Sequence, residues 1–263
     1  MRDWEGEMSM YKMIDTHIHL DKYKDEEISE IVTEVEELIS VSMNLNSCKR
    51  NSSLSKLYPA IRPAFGLHPE QALPSDEMVA ELLSWIKTTK DEAVAIGEIG
   101  LPFYLRKKNK LTQSYEQYIE VFETFIKLAV ELDKPVVLHA VYDDAHIVCD
   151  LLEKHTVKKA HFHWFKGDKK AVERLKANRF NVSVTPDLLY EEETKKLVEI
   201  YPLDLMMVEM DGPWPFQGPF IGKKTRPAMM HQTIAEISNI KGMKLREVYE
   251  QLFINSNQFY IVK

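Results

Sequence analysis

Short apolar, β-branched stretches recur along the chain with helix-patterned segments between them, the alternation expected of a parallel sheet with crossover helices. The stretches run from Tyr11 to His17, Leu38 to Met43, Ile61 to Leu67, Ala93 to Ile99, Pro135 to His139, Lys159 to His163, Phe180 to Val184 and Leu205 to Met210. Pro135 to Leu138 and Leu205 to Val208 are apolar throughout, as strands are when both faces of a sheet are covered. About eight such units in roughly 250 residues is the count of a (β/α)8 TIM-type barrel in the α/β class. Between them, Glu26 to Glu37 carries Ile28, Ile31, Val32 and Val35 at helical spacing, and Met78 to Ile86 carries Val79, Leu82, Leu83 and Ile86. The clearest helix is Tyr118 to Leu132, where Phe122, Phe125, Ile126, Ala129 and Leu132 form one stripe. Thr233 to Val262 reads as two C-terminal helices split at Lys241-Gly242. No linker or internal repeat interrupts this order, so one domain over residues 1–263 is expected.

Composition narrows the setting. The chain has 263 residues, 44% of them hydrophobic, which is ample for a core. Its two cysteines, Cys48 and Cys149, match no zinc or disulfide spacing and suggest reduced thiols in a cytosolic compartment. Met1 to Lys12 has no apolar core of a signal peptide, and no later run approaches the ~18 apolar residues of a membrane span. A soluble, cytoplasmic protein is the expectation. The net charge of -7 argues against holding nucleic acid through an overall field. Three local basic patches stand against that balance: Arg106, Lys107, Lys108 and Lys110; Lys166, Lys169 and Lys170; and Lys223, Lys224 and Arg226. They follow strands four, six and eight, so each is either a solvated face or a phosphate contact at the active-site end.

The candidate chemistry starts at Asp15-Thr16-His17-Ile18-His19, where two imidazoles at i and i+2 of a strand point to one side. Such a pair suits a divalent transition metal, although an isolated His-x-His is as often structural. Corroboration comes from later strand ends, where barrel enzymes gather their reactive groups. His68 follows the third strand, Glu98 ends the fourth, His139 the fifth and His163 the sixth, and Asp211 follows the eighth. Of nine histidines, only His146, His155 and His231 fall in helix-patterned segments. His161 shares a strand face with His163 but lies deeper. Asp211 before Gly212-Pro213 and His68 before Pro69 also have ordinary turn readings.

These residues sit in motifs that resemble the TatD family of metal-dependent hydrolases in the amidohydrolase superfamily. In order, they are Ile14 to Leu20 (IDTHIHL), Ala64 to Pro69 (AFGLHP), Ala95 to Leu101 (AIGEIGL), Pro135 to His139 (PVVLH), His163 to Gly167 (HWFKG) and Val208 to Trp214 (VEMDGPW). The resemblance spans about 200 residues and implies a distorted (β/α)8 barrel and hydrolysis, commonly of DNA phosphodiesters. It further implies one or two divalent ions, with Zn, Mn, Mg, Co, Ni or Fe all compatible with His and carboxylate donors. Carried over by motif, His17, His19 and Asp211 would hold one ion, His139 and His163 a second, and Glu98 would bridge them. Asp211 would be the general base, and His68 a substrate or water contact.

Three departures fall at substrate-facing positions. Pro102 stands where the family has a polar residue, Val141 where an arginine is common, and Trp164 where a small residue is usual. The resemblance therefore carries the metal site further than it carries DNA. A metal-dependent hydrolase of a phosphodiester, or of another ester or amide, leads. A metal-binding barrel that has lost turnover and serves binding or regulation comes second. A nucleic-acid binding module without chemistry is disfavoured by the acidic balance. Neither substrate nor oligomeric state follows from the sequence.

Overall fold

The computed structural model describes residues 11–260. Its eight strands are β1 (Ile14–Ile18), β2 (Glu37–Ser40), β3 (Ile61–Phe65), β4 (Ala95–Gly100), β5 (Val136–His139), β6 (Ala160–Phe162), β7 (Asn181–Val184) and β8 (Met206–Val208). Each pairs in parallel with the next, giving a nearly closed barrel in sequential order. Every strand expected from sequence is present, several trimmed at their ends. The helices are α1 (Asp25–Ile31), α2 (Leu45–Leu57), α3 (Asp76–Thr88), α4 (Phe103–Lys107), α5 (Tyr115–Glu131), α6 (Asp144–Lys154), α7 (Lys169–Ala177), α8 (Glu192–Ile200), α9 (Met230–Lys241) and α10 (Leu245–Tyr260). Among the described residues, no helix is long and apolar enough to cross a membrane.

The stripe read in α5 is buried as expected at Phe122, Phe125, Ile126 and Ala129. Serine side chains cap α3 and α5: Ser75 accepts from Met78 N, and Ser114 accepts from Gln117 N. One expectation fails: the helix foreseen from Glu26 to Glu37 stops at Ile31, and Glu37 begins β2. Glu36 N donates to Met13 O at 2.9 Å, which diverts the chain into the sheet before Val35 can extend the helix. Of the two C-terminal helices, Val262 lies outside the described residues.

Polar groups of the first motif hold β8 against β1. Asp15 Oδ1 accepts from His17 N at 3.2 Å and from Met210 N at 3.0 Å, while Thr16 Oγ1 donates to Val208 O at 2.9 Å. Beyond the strands, Asp211 N donates to His17 O at 2.8 Å and His19 N to Gly212 O at 2.9 Å. Asp15 and Thr16 thus build the seam that aims the two histidines, and burial raises the Asp15 carboxyl well above its ordinary range. Across the barrel, β4 is clamped between neighbours that leave no room for a side chain. A Cβ at Gly66 would lie 2.6 Å from Glu98 O, and one at Gly100 (φ +156°) would lie 2.0 Å from His139 O.

Candidate metal centre and active site

Strand ends deliver seven groups to one point. Glu98, fully buried on β4, sits at the centre. Its Oε2 lies 3.2 Å from His17 Nε2 and 3.4 Å from His19 Nε2, and Asp211 Oδ1 lies 3.5 and 3.4 Å from the same two nitrogens. Its Oε1 faces the other way, 2.8 Å from His163 Nε2, 3.0 Å from His139 Nδ1 and 3.4 Å from His68 Nε2. One carboxylate is therefore shared between two sets of imidazoles. All the residues selected from the sequence converge here, and His161 does not.

The donor set fits divalent metal on physical grounds. His17 Nε2, Glu98 Oε2 and Asp211 Oδ1 are buried without a hydrogen-bond partner, an arrangement that native interiors avoid unless something else satisfies the atoms. His17, His19 and Asp211 form one tight group, and Glu98, His139 and His163 another. Nitrogen and oxygen donors of this kind suit several first-row ions. Electrostatics reinforce the clustering. Burial, with stacked His163 3.8 Å away between ring centroids, pushes His17 well below the ordinary imidazole range. Burial also opposes a charge on His19, but Asp211 and Glu98 outweigh it and push the group up to about 9. Burial alone would raise Glu98, whereas the surrounding His68, His163 and His17 hold it well below the carboxylate range.

His68 is set apart by its tautomer. Its Nδ1 accepts from Glu70 N at 3.1 Å, and burial pulls the ring down to about 3. A neutral ring whose Nδ1 accepts carries its proton on Nε2, so His68 presents a donor to the site.

Three carboxylates escaped the sequence reading. Glu209 Oε1 accepts from Trp164 N at 2.7 Å and lies 3.6 Å from His163 Nδ1, and its Oε2 accepts from Ser183 Oγ at 2.6 Å. Glu70 lies 3.4 Å from His139 Nε2 and accepts from Tyr104 N and Leu105 N at 2.7 and 2.8 Å. Carboxylates behind ligating histidines fix ring orientation. The available signal was spacing, since Glu209 stands two before Asp211 and Glu70 two after His68. Asp187, discussed below, had no such signal. His161 is consumed by structure: Nδ1 lies 2.5 Å from Tyr260 Oη and Nε2 2.6 Å from Ser183 Oγ.

Above this floor opens a cavity of about 350 Å3, walled by Tyr104, Val141, Trp164, Lys166 and Trp214. Trp164 (φ 37°) and Asp211 (φ 46°) both hold left-handed backbone, which costs a side-chain-bearing residue roughly 1–3 kcal/mol and concentrates at functional sites. Pro102 is the N-cap of α4. Arg106 of one basic patch, and Lys224 and Arg226 of another, are held by acidic side chains. Arg106 pairs with buried Asp144, which also accepts from Tyr115 Oη at 2.7 Å. Lys224 pairs with Glu27, and Arg226 with Glu30 and Glu34. The local sequence of basic residues concealed these acidic partners, which lie on α6, on α1 and, for Glu34, just beyond α1. His146 lies in α6 and His231 in α9, and His155 caps the C-terminus of α6, all away from the floor.

Comparison with known proteins identifies the family. A family model described as TatD related DNase matches residues 14–261. An uncharacterized metal-dependent hydrolase of Haemophilus influenzae is 36% identical over 254 residues, covering 94% of this chain and 99% of that protein. The human deoxyribonuclease TATDN3 is 27% identical over 253 residues, covering 90% of each. Among solved structures, the TatD homologue YjjV of Escherichia coli superimposes with a TM-score of 0.84 at 23% identity, over 95% of this chain and 98% of that one. The family match and full-length relatives agree: the chain belongs to the TatD family and is a metal-dependent hydrolase.

Proposed function

We propose that the protein hydrolyses phosphodiester bonds with a water activated at a two-ion site, His17, His19 and Asp211 holding one ion, His139 and His163 the other, and Glu98 shared between them. The observation that carries this reading is the division of Glu98, Oε2 toward His17 and His19 and Oε1 toward His139 and His163. When bound, the ions supply Lewis acidity, which lowers the pKa of water and offsets charge building on oxygen. This chain's own residues do the rest. Asp211, whose Oδ1 faces His17 and His19 Nε2, takes the proton of the attacking water on its other carboxylate oxygen. As the new oxygen–phosphorus bond forms and the bond to the leaving oxygen breaks, that proton passes to the leaving group. His68 Nε2–H donates to a phosphoryl oxygen, and the aromatic rim excludes bulk water. One barrel domain carries the whole activity, in a cytoplasmic setting that suits the buried, unpaired Cys48 and Cys149.

The human relative is named a deoxyribonuclease, which supports DNA among the substrates. A second reading, a small ester or amide in place of DNA, is favoured by a cavity of about 350 Å3 with Val141 and Trp164 in its wall. Manganese-loaded protein assayed on bis(p-nitrophenyl) phosphate, single-stranded DNA and p-nitrophenyl acetate separates the two. Metal-dependent release from either phosphodiester, lost in EDTA and in Glu98→Ala, supports the proposal. Turnover confined to the acetate contradicts it.

A further inference from the structure

The cavity wall carries a unit that the hydrolytic floor does not use. Lys166 is the one lysine or arginine among the residues lining this cavity. Its Nζ lies 3.3 Å from Asp187 Oδ2, and the same oxygen accepts from Trp164 Nε1 at 2.6 Å. Asp187 comes from the turn Pro186–Leu189 that follows β7, where its own N donates to Thr185 Oγ1 at 3.3 Å. A single carboxylate thus fixes both the cation and the aromatic plate supplied by the loop after β6. The plate is pinned at its other points too: Trp164 N donates to Glu209, and the indole packs on Phe216 at 5.6 Å between ring centroids.

Exposure gives the pair a direction. The Lys166 side chain is 17% exposed and lines the cavity, whereas Asp187 is 2% exposed and sits behind it. An incoming ligand therefore meets the ammonium first. Burial opposes the Lys166 charge, but Asp187 outweighs it and raises the group above the ordinary lysine range. Two further aromatic side chains, Tyr104 at 38% and Trp214 at 45% exposure, stand at the same opening. Large aromatic surface left at a pocket mouth stacks planar groups, and a held ammonium binds anionic oxygen.

We propose that Lys166 and Trp164, both positioned by Asp187, form a recognition subsite for one anionic group attached to a planar ring, making aryl or nucleoside phosphoesters the substrate class. The proposal rests on the hydrolase reading of the floor and adds to it what the wall selects. Lys166 is a specificity residue, and Asp187 is a positioning residue that acts through it and through Trp164.

The test is equilibrium binding by calorimetry, with phenyl phosphate, thymidine 5'-monophosphate, inorganic phosphate and phenol as probes. It is run on manganese-loaded protein and again in EDTA. Wild-type protein is expected to bind at least one of the two ring-bearing phosphates more tightly than phosphate or phenol, and which of them binds tighter separates aryl from nucleoside. Lys166→Met is expected to weaken that ligand about tenfold or more, with phenol unchanged and the salt dependence reduced, while Lys166→Arg restores most of the affinity. Asp187→Asn is expected to weaken both the phosphates and phenol. Unchanged phosphate affinity in Lys166→Met, or an equal loss for phenol, would overturn the proposal. The Lys166-dependent increment is expected to persist in EDTA, where the floor holds no ion, so failure of the two-ion reading and failure of this subsite give different results.

Discussion

The two mouths of the barrel differ in a way that cavity size does not reveal. At the N-terminal end of the strands lies a groove of about 970 Å3, lined in part by Arg62, Glu92, Lys134 and Lys159. These four groups have partners: Arg62 pairs with Glu37 at 2.7 Å, Glu92 with Lys56 at 3.1 Å, and Lys134 Nζ donates to Ala93 O at 2.7 Å. Lys159 Nζ donates to Gln258 O and Phe259 O at 2.9 and 3.3 Å. At the C-terminal end the cavity is only about 350 Å3, yet its floor holds His17 Nε2, Glu98 Oε2 and Asp211 Oδ1 buried and unpartnered. A cluster of unsatisfied buried donors and acceptors within ligand distance of one another, not volume, marks the reactive end.

The comparison breaks most visibly at its centre. Glu98→Ala is expected to lower kcat/KM by at least about a thousandfold and to leave at most one ion per chain by elemental analysis. Near-normal turnover in that variant would remove the floor from the mechanism. Asp211→Asn comes next: loss of the proton acceptor is expected to cost about 10²–10⁴ in kcat, with KM little changed and metal retained at His139 and His163. Behind the floor, Glu209→Gln is expected to weaken metal binding about 10–100-fold in chelator competition, with far-UV circular dichroism unchanged. Equal metal affinity would show that Glu209 serves only Trp164 N and Ser183 Oγ. The smallest effect is expected at the other mouth. Arg62→Ala removes a partly exposed pair, worth about 1 kcal/mol or less, and kcat/KM should stay within about twofold. A large loss of activity there would end the distinction between the two mouths.

The same contrast explains what the chain's sequence discloses. Strands were legible because β5 and β8 are covered on both faces and read as apolar runs. α5 was legible because its buried side is one apolar stripe. α2 was not: it buries Ser47, Asn51 and Ser52 beside Cys48 and Leu54, and it docks through hydrogen bonds. Asn51 Nδ2 donates to Val41 O, and Ser40 Oγ donates to Asn51 Oδ1, both at 2.9 Å. Such a helix has no apolar period to detect. At the site, histidines after strand ends were visible because motif and strand end coincide. Asp187 was hidden because its partners, Lys166 and Trp164, lie on a different loop, so that only the closed barrel brings them together. The same long-range pairing hid the acidic partners of Arg106 and Arg226, whose sequence surroundings are basic.

The proposed mechanism turns on Glu98 being shared between two ions. Anomalous scattering from manganese-soaked crystals, recorded at the metal edge, tests it most directly. Two peaks are expected flanking Glu98, one at Oε2 within reach of His17, His19 and Asp211, the other at Oε1 within reach of His139 and His163. No peak at Glu98, or an ion bound only in the groove beside Arg62 and Lys134, would contradict it.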